Sequence, residues 1–335
     1  MHLRNYLAVG CLALFALSAQ AETVSGLYQV REPVEGQGAE ARTQATSKAL
    51  DTLVLRLTGD PKAAQSPALA ELRKDPQKII SQFGFEAGPP ETVLVDFDPG
   101  STERTLRKAG LALWGNTRPS ILSWWLNDNA EGSNLVGDGQ SSAAPLRRAA
   151  QHRGLPLRLP LADLSEQLVA TAKNLEGTDP APLREASERY GADALLAVHA
   201  SEADGKWQGT WKLWMGEQHE QGKVEGADQA ALADAVMLAV SSRLAPRFVA
   251  RPGASSEMQL QVQGMNLARY AELGRVLEPY GARLNQVDGG TLTYQVTGNS
   301  DQLRAQLGLA KLQELPAETP AAQPAVDPAD AAATQ

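Results

Sequence analysis

Ser120-Ile121-Leu122-Ser123-Trp124-Trp125-Leu126, set behind Arg118-Pro119 and followed by Asn127, decides the fold class. A strongly apolar run bounded by turn formers reads as a strand buried on both faces. Ala194–His199 is a second run of this kind. A helix over Pro182–Tyr190, closed by Gly191, precedes it. Between the two runs the spacing predicts a loop over Asn127–Ser142, a helix over Pro145–Arg153 stopped at Gly154, and a short extended piece from Leu155 to Pro160. After the turn at Asp204-Gly205, Trp207–Met215 alternates as a strand. An Ala-rich helix over Ala227–Leu244 then stops before Pro246. Helices alternating with both buried and amphipathic strands give an α/β (α+β) class, built as several small modules of mixed sheet flanked by helices.

Outward from this central module, residues 116–250, a first module spans 22–115. It opens with a strand over Thr23–Val30. A long helix follows over Ala39–Leu57, whose Ala45, Ala49, Leu53 and Leu57 keep the three-to-four-residue spacing of a buried stripe. A second helix is predicted over Ala68–Phe83, a strand over Glu91–Phe97, a helix to Ala109 capped by Ser101 or Thr102, and a short strand over Leu111–Trp114. Past a linker at Arg251–Ser256, residues 257–312 read as a small β-α-β-β-α module with a hairpin turn at Asp288-Gly289-Gly290. Residues 316–335, rich in Pro and Ala, predict a disordered tail.

The first 21 residues address the chain. Arg4 precedes an apolar run, Leu7–Leu17, and Ala19-Gln20-Ala21 offers small residues at a cleavage site before Glu22. This is the pattern of a Sec-type signal, and the run is shorter than the ~20 residues a membrane span needs. The expected location is the periplasm, with cleavage after Ala21. The lone cysteine, Cys11, sits inside the signal, so the mature chain is cysteine-free and excludes disulfides, thiolate metal sites and cysteine nucleophiles. Ala8-Val9-Gly10-Cys11 loosely resembles a lipoprotein site, but a second apolar run follows it. The net charge is −8, about −9 once Arg4 leaves with the signal, which argues against nucleic-acid and anionic-lipid partners.

Leu53-Val54-Leu55-Arg56-Leu57-Thr58-Gly59, Trp114-Gly115-Asn116-Thr117-Arg118-Pro119 and Arg153 to Asp163 stand in order with Ala186–Tyr190 and the Trp207/Trp211 segment. Over roughly residues 22–250 this set resembles the domain-of-unknown-function 2066 family, exported proteins of Gram-negative bacteria. The resemblance implies no activity. The order of elements from Leu183 to Leu244 is similar to the TolB N-terminal-like domain of envelope-assembly proteins, which implies a protein-interaction role by fold analogy alone.

Catalytic patterns are sparse. His152, His199 and His219 form no metal-binding spacing, and no phosphate-cradling or nucleophile-elbow motif occurs, so no metal or cofactor is expected. His199 ends a buried strand, where a hydrogen-bonded structural role is the commoner one. Val93-Leu94-Val95-Asp96-Phe97-Asp98 places two carboxylates at a strand exit, the arrangement of a metal-dependent phosphatase-like hydrolase, although Pro99-Gly100-Ser101 departs from that pattern. Ordinary helix capping is the competing account. For ligand or partner contact the candidates are Trp114, Arg118, Trp124, Trp125, Arg153, Trp207 and Trp211, since Trp and Arg dominate binding hot spots and Trp stacks on sugars. Trp124 and Trp125 point to opposite faces, so one of them is free to leave the core. The expectation is a non-catalytic interaction or scaffold protein of the cell envelope with envelope-protein partners. The alternatives are the Asp96/Asp98 hydrolase and a small-ligand or glycan binder.

Overall fold

The computed structural model describes residues 22–88, 91–249, 256–312 and 314. The signal, Cys11 and the tail from Pro316 lie outside the described residues. The chain divides into two compact units that part between Pro252 and Gly253.

The first unit begins with β1 (Glu22–Thr23), β2 (Gln29–Pro33), α1 (Ala39–Thr58) and α2 (Ala70–Lys74). β3 (Ile80–Glu86), β4 (Thr92–Phe97) and α3 (Pro99–Lys108) follow. β2, β4 and β3 form an antiparallel three-stranded sheet in that order. The stripe of α1 predicted from spacing is buried against it: Leu50, Leu53, Val54 and Leu57 pack with Val30, Val93, Val95 and Phe97. Two expectations are corrected here. Residues 80–86 form an edge strand, because Pro76 ends the helical run in a short 3₁₀ turn and β4 offers an unpaired edge. Ile79, Ile80 and Phe83 had mimicked helical spacing. Residues 111–114 are irregular, with the Trp114 N–H donating to the Leu57 carbonyl at the end of α1.

β5 (Thr117–Arg118) pairs with β1, and then comes β6 (Ile121–Asn129), the decisive run. β7 (Gly132–Leu135) turns back on it as a hairpin where a loop was predicted. Its Gly-Ser-Asn sequence carries no apolar pattern, which is why only pairing reveals it. The chain continues through α4 (Ala143–Arg153), β8 (Leu157–Arg158), α5 (Leu164–Val169), α6 (Ala172–Glu176) and α7 (Ala181–Ser187). β9 (Ala194–Ala203), β10 (Lys206–Met215), β11 (Gln218–Gly226) and α8 (Gln229–Phe248) complete the unit. Pro246 lies inside the last turn of α8 rather than beyond it.

These strands make a six-stranded mixed sheet ordered β11-β10-β9-β6-β7, with β8 beside the start of β6. β6 runs parallel to β9, as two central buried strands should. α6 packs on β9 and β10 and links with α7, while α8 packs on β10 and β11 and against α4. One face carries Leu122, Trp124, Leu126, Leu195, Ala197 and Trp214 under the short helices. The opposite face carries Trp207 and Trp211, as Gly209 between them meets Leu232 of α8. A sheet covered on both faces buries both Trp124 and Trp125, and neither leaves the core.

The second unit comprises β12 (Ser256–Val262), α9 (Leu267–Leu277), β13 (Arg283–Asp288), β14 (Thr291–Gly298) and α10 (Ser300–Leu309). Its antiparallel sheet is ordered β12-β14-β13, and Leu260, Val262, Tyr294 and Val296 meet Leu273, Leu277, Leu303 and Leu307.

Candidate functional site

The aromatic and basic candidates sit inside the first unit. Trp114, Trp124 and Arg118 show no exposed surface, and Trp125, Trp207 and Trp211 are buried. Trp124 donates to the Ser187 hydroxyl at 2.9 Å and Trp125 to Asn127 at 2.8 Å. Trp114 stacks flat on Phe248 and lies 4.2 Å from the Arg118 guanidinium. These six side chains are packed inside the fold, and Trp211 also borders a cavity between β11 and α8.

Arg118 is occupied at every donor. Its Nε donates to the Gly115 carbonyl, Nη1 to those of Arg153 and Gly154, and Nη2 to those of Arg56 and Trp114, at 2.8–3.1 Å. Three of the acceptors have simple origins. Arg56 lies in the last turn of α1, and Arg153 and Gly154 end α4, so their carbonyls lack intrahelical donors and carry the negative end of the helix dipole. Arg118 therefore caps two helix C-termini at once and joins the β2-β4-β3 layer to the six-stranded layer. Gly154 permits this approach. Its φ is +64°, and a Cβ there would stand under 3.0 Å from Leu27, Arg118 and Arg56. Burial, followed by the neighbouring Arg56 charge, pushes the Arg118 guanidinium down to about 9, still protonated at neutral pH. With no donor left, Arg118 has none to offer an anion. Arg153 is largely enclosed, and burial lowers its guanidinium.

The carboxylate candidates are engaged as well. Asp98 is the N-cap of α3, accepting from the Ser101 N–H at 2.8 Å, which places the cap three residues before the predicted Ser101. Its carboxyl sits below the usual range through the Ser101 hydroxyl and N–H. Asp96 accepts from Gln29 at 2.8 Å. Among the described residues no group of three or more His, Cys, Asp or Glu side chains is placed to hold a metal.

His199 lies between Glu176 at 2.7 Å and Asp128 at 3.4 Å, and Asp128 in turn accepts from the Ser133 hydroxyl at 3.0 Å. The order hydroxyl–carboxylate–imidazole leaves the ring out of reach of the hydroxyl proton, unlike a hydrolytic triad, where the imidazole stands in the middle. This chain of bonds fixes the β6–β7 hairpin against the end of α6.

The exposed feature that needs explaining adjoins that hairpin. Leu161, Leu164 and Leu168 are 66%, 74% and 74% exposed. Leu164 and Leu168 lie one turn apart on α5, so they share a face. The segment that carries them is firmly held. Asp163 caps α5 and Glu166 returns the bond to the Asp163 N–H, a reciprocal capping box. The Glu166 carboxylate is buried and takes hydrogen bonds from Arg189 and the Tyr190 hydroxyl. The Tyr190 oxygen also accepts from the Leu161 N–H at 2.9 Å. Arg189 bridges to Asp163 at 2.7 Å. Gln167 donates to the Ala162 carbonyl and Asn174 to the Val169 carbonyl, each at 2.8 Å. Ala162 has φ +57°, uncommon for a residue with a Cβ, and its methyl fits because Gly137 opposite has none.

Between α5 and β7 lies a cavity of about 420 Å³, lined by Ser133, Asn134, Leu135, Leu164, Leu168 and Thr171. β7 ends the sheet. The Val136 N–H donates to the Trp125 carbonyl, so by alternation Asn134 and Gly132 face β6, while the N–H and C=O of Ser133 and Leu135 face outward. Chain already lies along this edge further up, where the Asp138 N–H donates to the Pro160 carbonyl at 2.8 Å, and then it departs into α5. Beyond that departure no strand pairs with the edge among the described residues. The leucines were absent from the sequence candidates because their spacing is that of any buried stripe. The available signal was the capping box Asp163-Leu164-Ser165-Glu166, which marks a helix start too short to bury its own leucines.

One family profile matches, over residues 21–115: Domain of unknown function (DUF8605). It replaces the 2066 family expected from the ordered motifs. No curated protein and no solved structure matches the chain, so the likeness to the TolB N-terminal-like domain has no structural relative behind it.

Proposed function

We propose that this chain is an exported, periplasmic protein of the cell envelope that acts as a protein-interaction module. Its docking surface is the Leu161/Leu164/Leu168 ridge together with the open edge of β7. The occupant is an extended segment of a partner protein, added as a further strand beside Ser133–Leu135. Its alternate apolar side chains fill the cavity under Leu164 and Leu168. The observation that carries this reading is the rigid presentation of exposed leucines. A buried carboxylate, a capping box and a tyrosine hydroxyl hold in place apolar side chains that contribute nothing to the core. Such preorganisation lowers the ordering cost of binding. The unpaired backbone groups of the edge specify an extended ligand, and the cavity specifies its side chains.

The test compares wild type with Leu164→Asp and Leu168→Asp in intact cells, with the periplasm crosslinked and captured proteins identified by mass spectrometry. The expected result is one stoichiometric envelope protein captured by wild type and at least tenfold less by either variant, with unchanged Tm. Equal capture by all three chains contradicts the proposal. Capture of a second copy of this chain would make the surface a self-association site and overturn the assignment of the partner.

A further inference from the structure

A second cavity, independent of the leucine surface, lies where β2 and β3 meet α4 and α8. It encloses about 360 Å³ and is lined by Arg31, Arg56, Arg148, Gln151, His152 and Asp234, among others. That volume lies in the range of small-molecule sites. Its walls are charged. Arg56 is buried, with Nε donating to the His152 carbonyl at 3.2 Å and Nη1 to the carbonyls of Leu27 and Gln29 at 2.9 and 2.7 Å. Its Nη2 has no protein partner among the described residues. Arg148 is exposed and makes no ion pair among the described residues. Arg31 is held by Glu86 at 3.1 Å, and its carbonyl fixes the His152 ring at 3.1 Å. Asp234 also lines the cavity, with its Oδ1 enclosed in the protein, and beside it Arg153, outside the lining, has its Nε enclosed; neither atom makes a hydrogen bond.

The charge balance gives the chemistry. Three guanidiniums line the cavity against Glu86 and Asp234; Glu86 is committed to Arg31, Asp234 faces Arg153, and the buried Glu32 offsets part of the Arg56 charge, which leaves Arg148 as the cation without an ion pair among the described residues. Arg118, directly behind Arg56, adds a further positive charge with no carboxylate of its own. Guanidinium groups select carboxylates by charge and by paired donors. Asp234, an acceptor in the same lining, selects a hydrogen-bond donor on the same molecule. We infer that this cavity binds a small carboxylic acid that also carries an ammonium or hydroxyl donor. Its carboxylate lies against Arg148 and Arg56, and its donor lies against Asp234. The side-chain amide of Gln151, on the same wall, is placed to bond the body of the ligand.

Isothermal titration of the whole mature chain tests this with two probes at constant ionic strength. L-glutamate supplies carboxylates and an ammonium, and succinate supplies carboxylates alone. The expected result is saturable, one-to-one glutamate binding with succinate at least tenfold weaker. Arg148→Gln removes an exposed, unpaired cation, keeps the fold, and weakens glutamate at least tenfold. Asp234→Asn narrows the glutamate–succinate difference. Absence of saturable binding for both probes overturns the inference. So does glutamate binding that Arg148→Gln and Arg31→Gln both leave unchanged.

Discussion

Arg118 and Leu164 belong to the same unit and invert the usual rule of burial. The cation is fully enclosed and the leucine is three-quarters exposed. Each exception has its own support. Five carbonyls, three of them at helix ends, replace the water that Arg118 gives up. A capping box and a buried Glu166 hold Leu164 where no core covers it. The lesson is that unusual chemistry marks function only after its hydrogen bonds are counted. The arginine spends every donor on the fold. The leucines add nothing to it, and the proposed docking surface is built on them.

This contrast can be broken from either side. Arg118→Met carries the largest expected effect. It strands the carbonyls of two helix ends and removes the joint between two layers. The expected loss is at least about 3 kcal/mol in urea unfolding. A loss under about 1 kcal/mol would show that water or another group caps those helices equally well. Glu166→Ala comes next, at about 2 kcal/mol, because the Tyr190 hydroxyl and Arg189 lose a buried acceptor. Hydrogen exchange should quicken over residues 160–176 and not over β9. Uniform quickening would mean that the ridge is no separately held element.

Acid gives a smaller and more local effect. The Asp163 carboxyl is held well below the usual range by the Ser165 hydroxyl, Arg189 and the Glu166 N–H. A group depressed on folding stabilises above its unfolded value, near 4, and that contribution fades as pH falls through the lower folded value. Amide protection over α5 should therefore be flat from pH 8 to 5 and decline only below about 4. Loss already at pH 6 would exclude Asp163 as the controlling group. The smallest effect belongs to Leu164→Asp, within about 0.5 kcal/mol of wild type. A larger loss would mean that the leucine is core after all.

Much of the architecture was legible because it follows from unambiguous patterns. Ser120–Leu126 and Ala194–His199 are apolar throughout and became the parallel centre of the sheet. Gly154 and Gly191 ended their helices in the left-handed conformation that glycine favours. The edges were not legible. Phe83 and Phe85 of β3 are each more than a third exposed, so strand pairing and not burial sets their conformation. β7 carries Gly, Ser and Asn outside its last residue and reads as a turn. The docking surface proposed here is made from such an edge and from a stripe of leucines. Periodicity reports that a stripe exists, but the neighbour that covers it, or its absence, is set by tertiary structure.

The central claim is that the leucine ridge and the β7 edge receive one extended segment. The most direct measurement places a photocrosslinking amino acid at Leu164, at Asn134 and, as a control, at Lys223 on the far edge of the sheet. Each is exposed in intact cells with and without Ser133→Pro, which deletes an outward N–H and leaves the β6 ladder paired, and with Ser133→Ala as the control for the hydroxyl bond to Asp128 that both changes remove. The account predicts the same partner at 164 and 134, none at 223, and loss of both crosslinks with Ser133→Pro. Equal labelling at 223, or crosslinks that Ser133→Pro leaves intact, would contradict it.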